Sequence, residues 1–158
     1  MIKKVFIWGS YEYGNYGDDI MALYFGCLLK SMGYDVCVYR LNSFLGEKYE
    51  LSVTDCLASG LKDADACVLG GGALFNAYSV NNECYDAYKK DILELSSLMR
   101  EGKVPTVGLS LGTGGLADAS QLSAEQLDLL ENPYFLKTTV RSRSDLDLFK
   151  GRVSAVYV

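Results

Sequence analysis

The sequence predicts an α/β fold, a mainly parallel sheet of five to six strands between two helical layers. Short apolar runs of strand length recur between longer segments of helical periodicity, the alternation that builds β-α-β units. Several of these runs end in glycine: Trp8-Gly9, Leu69-Gly70-Gly71-Gly72 and Leu111-Gly112. Polar loops then precede the helical segments, as at the carboxyl edge of an open parallel sheet. Together these features describe a Rossmann-like three-layer α/β/α sandwich.

Val5-Phe6-Ile7-Trp8 reads as the first strand, apolar without alternation and therefore buried on both faces. The loop from Ser10 to Asp19 enters a helix capped by Asp18 or Asp19, with Met21, Phe25, Leu28 and Met32 on one face and Gly33 closing it. Tyr34 to Leu41 supplies a second strand, punctuated by Asn42-Ser43. Phe44 to Val53 has no clear period and reads as a surface excursion before a short helix from about Thr54 to Lys62. Ala64 to Leu69 is the third strand, terminated by the glycine run.

Tyr85, Tyr88, Ile92, Leu95 and Met99 recur at helical spacing up to Gly102. Thr106 to Ser110 is strand four, again ending in glycines, Gly112-Thr113-Gly114-Gly115. Ser123-Ala124-Glu125-Gln126 is a capping box, with Leu122 and Leu127 placed as a hydrophobic staple, and its helix stops before Pro133. Lys137 to Val140 is strand five, Arg141 to Phe149 a loop and short helix, and Val153 to Val158 a sixth strand. Placing the glycine-ended strands side by side gives the order 2-1-3-4-5 with the sixth at an edge.

At 158 residues, with 49% hydrophobic and 22% charged side chains, the chain is a single domain (1–158) with material for a full core. Its net charge of -5 and lack of a basic stripe argue against nucleic acid as a partner. No apolar run is long enough to cross a bilayer, and Met1-Ile2-Lys3-Lys4 leads straight into a strand, so a cytoplasmic location is expected. The cysteines 27, 37, 56, 67 and 84 lack C-x-x-C spacing and read as reduced core residues. Histidine is absent, which removes the commonest general base and metal ligand.

The loops at Ser10–Asp19, Gly70–Leu74, Leu111–Gly115 and Arg141–Asp145 should share one sheet edge and form a binding cleft. Gly14 and Gly17 permit a tight path, and Asn15 either takes a left-handed turn or presents its amide to a ligand. Asp18 suits a helix cap and a ligand contact alike. Neither G-x-G-x-x-G nor a P-loop is present. Gly70, Gly71 and Gly72 either form an anion-binding nest or make room for a neighbouring helix and loop. Arg141, just past a strand, is placed to reach a carboxylate or phosphate with Arg143 in support, unless it is an ordinary surface arginine. Ser110 and Thr113 are candidate hydroxyl donors. Tyr11, Tyr13 and Tyr16 offer aromatic faces to sugar rings, to the fold or to a partner domain.

Gly14-Asn15-Tyr16-Gly17-Asp18, Gly70-Gly71-Gly72-Ala73-Leu74-Phe75, Ser110-Leu111-Gly112 and Val140-Arg141, in that order and spacing, resemble the polysaccharide pyruvyl transferase family across essentially the whole chain. The resemblance implies an enzyme moving the pyruvyl group of phosphoenolpyruvate onto a sugar of a cell-surface polysaccharide or its lipid-linked precursor, as a ketal. It implies two Rossmann-like domains like those of type-B glycosyltransferases, of which this chain is the N-terminal one. The absent second domain is then a partner and the cleft between domains holds phosphoenolpyruvate and the sugar acceptor; no cofactor and no metal ligand is assigned to this chain. A lipid-linked acceptor implies peripheral membrane association, and an apolar face left by the missing domain implies a homodimer as one outcome. Thr113, Leu109 and Ser142 depart from the residues common in the family.

Protonating the methylene carbon of phosphoenolpyruvate needs a general acid, and no residue here supplies one, so the chain alone is expected to be catalytically incomplete. Two other readings remain: half of a nucleotide-sugar glycosyltransferase, and a non-catalytic binding module.

Overall fold

The computed structural model describes residues 3–11, 15–76, 83–116 and 118–158, with the backbone alone at residues 83 and 84. In chain order its elements are β1 (Lys4–Trp8), α1 (Tyr16–Ser31), β2 (Asp35–Tyr39), α2 (Ser43–Tyr49), β3 (Ser52–Thr54), α3 (Leu57–Lys62) and β4 (Ala66–Gly72). They continue with α4 (Glu83–Gly102), β5 (Thr106–Leu111), a 3₁₀ turn (Ala119–Gln121), α5 (Ala124–Leu130), β6 (Phe135–Val140), α6 (Arg143–Phe149) and β7 (Ser154–Tyr157). The strands form one seven-stranded sheet, β3-β2-β1-β4-β5-β6-β7, and every pairing is parallel. The Rossmann-like α/β class and the relative order of the six expected strands are as the sequence predicts.

The additional strand is β3. It pairs with β2 in the register Cys37 to Ser52 and Tyr39 to Thr54. The stretch expected to be a surface excursion therefore holds a helix and an edge strand. Asn42 caps α2 by accepting the Phe44 N–H at 3.0 Å, and Gly46 sits so close to Val53 and Leu51 that a larger residue would not fit. The following helix begins at Leu57 rather than Thr54.

Alternation along the strands sends side chains into two cores. Val5, Ile7, Val36, Val38 and Val68 join Ala22 of α1, and Phe25 and Leu45 pack against them from α1 and α2. Phe6, Trp8, Cys67, Leu69 and Leu111 point the other way, onto Leu61, Ile92, Leu95, Leu129 and Leu148 of α3 to α6. The expected α4 face of Tyr88, Ile92, Leu95 and Met99 is buried there. Right-handed crossovers explain this division, since the chain moves one way along the sheet from β1 to β3 and the other way from β3 to β7. Over β5 to β7, the α1/α2 face carries no helix among the described residues, and Val107 and Val156 stand 36% and 42% exposed on it.

The buried face of α1 differs from expectation. Ala22 and Gly26 are buried, whereas Leu28 and Met32 stand 45% and 61% exposed. Asn15, not Asp18 or Asp19, is the N-cap. Small residues on the inner face let α1 approach the sheet, which turns the larger side chains outward. Gly33, at φ 87°, ends the helix as expected.

Candidate functional site

The carboxyl edges of β1, β4, β5 and β6 bring most of the expected site residues together. Gly14 and Tyr13 lie outside the described residues. Asn15 organises the start of α1: its Oδ1 accepts the Gly17 N–H at 3.2 Å and its Nδ2 donates to Asp18 Oδ2 at 2.7 Å. Asp18 is thereby held in the first turn, over the end of β4.

The triple glycine belongs to the strand, since β4 runs through Gly72 and all three glycines are buried. Its function in the fold is close approach. A Cβ on Gly70 would collide with the Tyr11 hydroxyl, one on Gly71 with Met21 Sδ, and one on Gly72 would come within 2.7 Å of Asp18 Oδ1. Gly71 and Gly72 also take φ of 53° and 90°, where other residues are strained. Tyr11 is fully buried and donates its hydroxyl to the Gly70 carbonyl at 3.0 Å, so it is core and not a platform for sugar. Burial, reinforced by the nearby Asp18, pushes the Tyr11 hydroxyl far above its ordinary pKa. Tyr16 is 74% exposed on the first turn of α1.

Beside β4, the Gly112 N–H donates to the Gly72 carbonyl at 2.9 Å, joining the two glycine-ended strands. The guanidinium of Arg141 lies against Gly112, where a Cβ would meet Nη2 at 2.6 Å and Nε at 2.7 Å. Asp18 and Arg141 thus flank a hydrogen-bonded pair of glycines. They are not in ion-pair contact, although Arg141 lowers the carboxyl pKa of Asp18 by its field. Burial is the larger influence and leaves that carboxyl above the ordinary value. Arg141 itself is exposed and makes no side-chain hydrogen bond among the described residues.

Ser110 takes φ 56°, a strained value for a residue with a side chain, and its N–H leaves the ladder to donate to Thr139 Oγ1 at 2.8 Å. The β5–β6 register shifts at that point. Thr113 is not available as a donor to ligand: it is buried and its hydroxyl is given to Asp145 at 2.6 Å. Arg143 does not support Arg141, because its guanidinium sits 5.7 Å from the Tyr157 ring centroid.

Sequence reasoning missed Asp145 and Asn76. Asp145 accepts from Thr113 and Ser142 and closes a capping box on α6, a pattern the spacing Ser142-x-x-Asp145 carries openly. Asn76 abuts Gly114 and has a buried Oδ1 without a hydrogen-bond partner. No sequence signal singles it out. Among the described residues, no helix is long and apolar enough to cross a membrane.

No family model matches this chain, and no curated protein does. Among solved structures, a pyrroline-5-carboxylate reductase from Coxiella burnetii is similar at 15% identity with a TM-score of 0.43. The match takes in 99% of this chain and 58% of the reductase, so the chain spans well under two thirds of that protein's length.

Proposed function

We propose that the chain is the N-terminal domain of a pyruvyl transferase of the polysaccharide type, and that its cleft receives phosphoenolpyruvate beside a sugar diol. The observation that carries this reading is the flanking of the Gly72–Gly112 pair by Asp18 and Arg141, opposite charges that do not neutralise each other. A guanidinium with open donors suits the carboxylate or phosphate of phosphoenolpyruvate. A carboxylate made more basic by burial suits an acceptor hydroxyl that must give up its proton. Asn15 orients that carboxylate.

In the reaction, the methylene carbon of phosphoenolpyruvate gains a proton, one sugar oxygen adds to the neighbouring carbon, and a second displaces phosphate to close the ketal. Among the described residues of the cleft none is placed to deliver the proton to carbon, and the chain has no histidine. The domain is therefore a binding half whose proton donor comes from elsewhere. That same lack favours the second reading, a binding module without catalysis.

Titration calorimetry with phosphoenolpyruvate and a uridine-diphosphate sugar separates the possibilities. Binding of phosphoenolpyruvate with a dissociation constant in the range of about 0.1–1 mM, typical of a half-site held by a few polar contacts, supports the assignment. Binding of the sugar nucleotide with no response to phosphoenolpyruvate overturns it.

A further inference from the structure

Among the described residues, four other than glycine take a positive φ: Arg40, Glu50, Lys103 and Ser110. Three have evident reasons. Arg40 is ion-paired with Asp91, Glu50 is the left-handed cap of α2 and is ion-paired with Lys30, and Lys103 stands in the turn that closes α4. Ser110, at φ 56°, has no such reason: its half-buried side chain makes no hydrogen bond among the described residues.

We infer that Ser110 is a ligand-contact residue, whose hydroxyl donates to an anionic oxygen of the carboxylate or phosphate held by Arg141. This rests on Arg141 as the anion contact of the proposed cleft, and adds a second donor to it.

Position is the first support. Gly70 pairs with Leu109 and Gly72 with Leu111, so Ser110 lies level with Gly71, which has φ 53°. Two neighbouring strands thus depart from regular geometry at one level, and the β5–β6 register shifts there as well. Next to Ser110, the Arg141 N–H donates to the Leu111 carbonyl at 3.1 Å and the Arg141 guanidinium lies against Gly112. Irregular strand ends of this kind re-aim side chains beside binding sites.

The cost to the fold is the second. Glycine takes such a backbone freely, as Gly71 and Gly72 do, whereas a serine there is strained. The bond from Ser110 to Thr139 Oγ1 at 2.8 Å comes from the backbone N–H, so a glycine would keep it. No hydrogen bond of the fold uses the side chain.

Chemistry is the third. A hydroxyl beside a guanidinium makes a pair of donors for a carboxylate or phosphate. The spacing Gly108-x-Ser110-x-Gly112 is also that of a nucleophile elbow, where a strained serine joins a strand to a helix. Here β5 leads into a loop, and no base among the described residues hydrogen-bonds the hydroxyl, so the group donates rather than attacks.

Titration calorimetry with phosphoenolpyruvate, inorganic phosphate and pyruvate, paired with thermal unfolding, tests the inference on the wild type, Ser110→Gly and Ser110→Ala. Ser110→Gly should raise the melting temperature by about 2–4 °C through release of strain. It should also weaken phosphoenolpyruvate binding by at least about 10-fold, the loss of a hydrogen bond to a charged group. Ser110→Ala keeps the strain and should lose the same affinity without the gain in stability. Phosphate and pyruvate tell which anion the hydroxyl meets, as the one whose binding the variants weaken. Ser110 variants that bind phosphoenolpyruvate as the wild type does overturn the inference and leave the phosphoenolpyruvate reading standing. Binding of phosphate or pyruvate but not phosphoenolpyruvate, lost in the variants, upholds the inference and removes that reading. A Ser110→Gly protein that melts lower marks a structural serine and overturns the inference. So does a wild type that binds none of the three, or covalent labelling of Ser110 by a fluorophosphonate.

Discussion

Thr113 gives both its hydroxyl and its backbone N–H to Asp145 Oδ1, at 2.6 and 3.2 Å, and so ties the loop after β5 to the first turn of α6. The other carboxylate oxygen takes the Ser142 N–H at 3.1 Å. One buried carboxylate thus fixes two of the loops at the carboxyl edge of the sheet.

Removing it should be costly. Asp145→Ala leaves two backbone donors and a buried hydroxyl unpaired, for a loss of about 2–4 kcal/mol, read from urea denaturation. Burial alone would raise the Asp145 pKa, but hydrogen bonds from Thr113 and Ser142 outweigh it and hold the group below the ordinary carboxylate value. A lowered folded-state value means that its stabilisation is complete above the unfolded-state pKa of about 4 and is lost as the pH falls through the folded one. Asp145→Asn should therefore flatten the acid limb of the stability curve.

Asp18 has the opposite sign. Its folded-state value is raised, chiefly by burial, so the carboxylate costs stability once the pH climbs through that value and costs nothing below the unfolded one. Asp18→Asn should raise the melting temperature slightly at pH 7, by the equivalent of less than about 1 kcal/mol given solvent screening. The gain should vanish below about pH 4, near the ordinary carboxylate value. If Asp18 receives the acceptor, the same variant should lose acceptor affinity, and a loss of stability at neutral pH would contradict the burial argument.

Arg141→Ala should leave the fold intact, because the side chain is exposed beside Gly112. If the site receives phosphoenolpyruvate, affinity for it should fall by about 10- to 100-fold, the loss of a charge-assisted pair. Arg141→Lys should recover only part of it, since an ammonium cannot reproduce the planar fork. Calorimetric titration of both variants reads this directly.

Gly70→Ala should destabilise by about 2–4 kcal/mol, combining overpacking with loss of a buried hydrogen bond, because the added carbon displaces the Tyr11 hydroxyl from the Gly70 carbonyl. Tyr11→Phe removes only the bond and should cost about 1 kcal/mol. Equal costs for the two variants in urea denaturation would argue against the steric component.

Thiol reactivity should separate the cysteines. Hydrogen bonds from Ser59 hold the exposed Cys56 thiol below its ordinary pKa, whereas burial pushes Cys67 up to about 12. Mass spectrometry after brief alkylation should find Cys56 modified before Cys27, Cys37 and Cys67, with Cys67 untouched until the protein is unfolded. Early labelling of Cys67 would mean that β4 opens to solvent.

The alternation of apolar runs and helical periods was enough to read the class and the buried stripe of α4, because those follow from local pattern, and the glycine-ended strands, placed side by side, gave the strand order. β3 escaped because Ser52-Val53-Thr54 is three residues on an edge, too few to show a period. The outward turn of Leu28 and Met32 escaped because periodicity finds a stripe without saying which way it faces. Small residues at Ala22 and Gly26 decided that, and they register weakly on any apolar count. The glycine run was ambiguous for a related reason: what fills the space beside Gly70 and Gly71 is Tyr11 and Met21, brought there by tertiary packing. In the cleft, residue types pointed to Arg141 and Asp18 as candidates, but the sequence could not tell that Thr113 was already engaged.

The bare half of the sheet follows from bookkeeping of direction. With two connections travelling one way and the rest the other, helices of fixed hand fill diagonal quadrants, and among the described residues none covers the quadrant over β5 to β7. Val107 and Val156 on that face belong to neither core, so polar replacements there should change solubility more than stability.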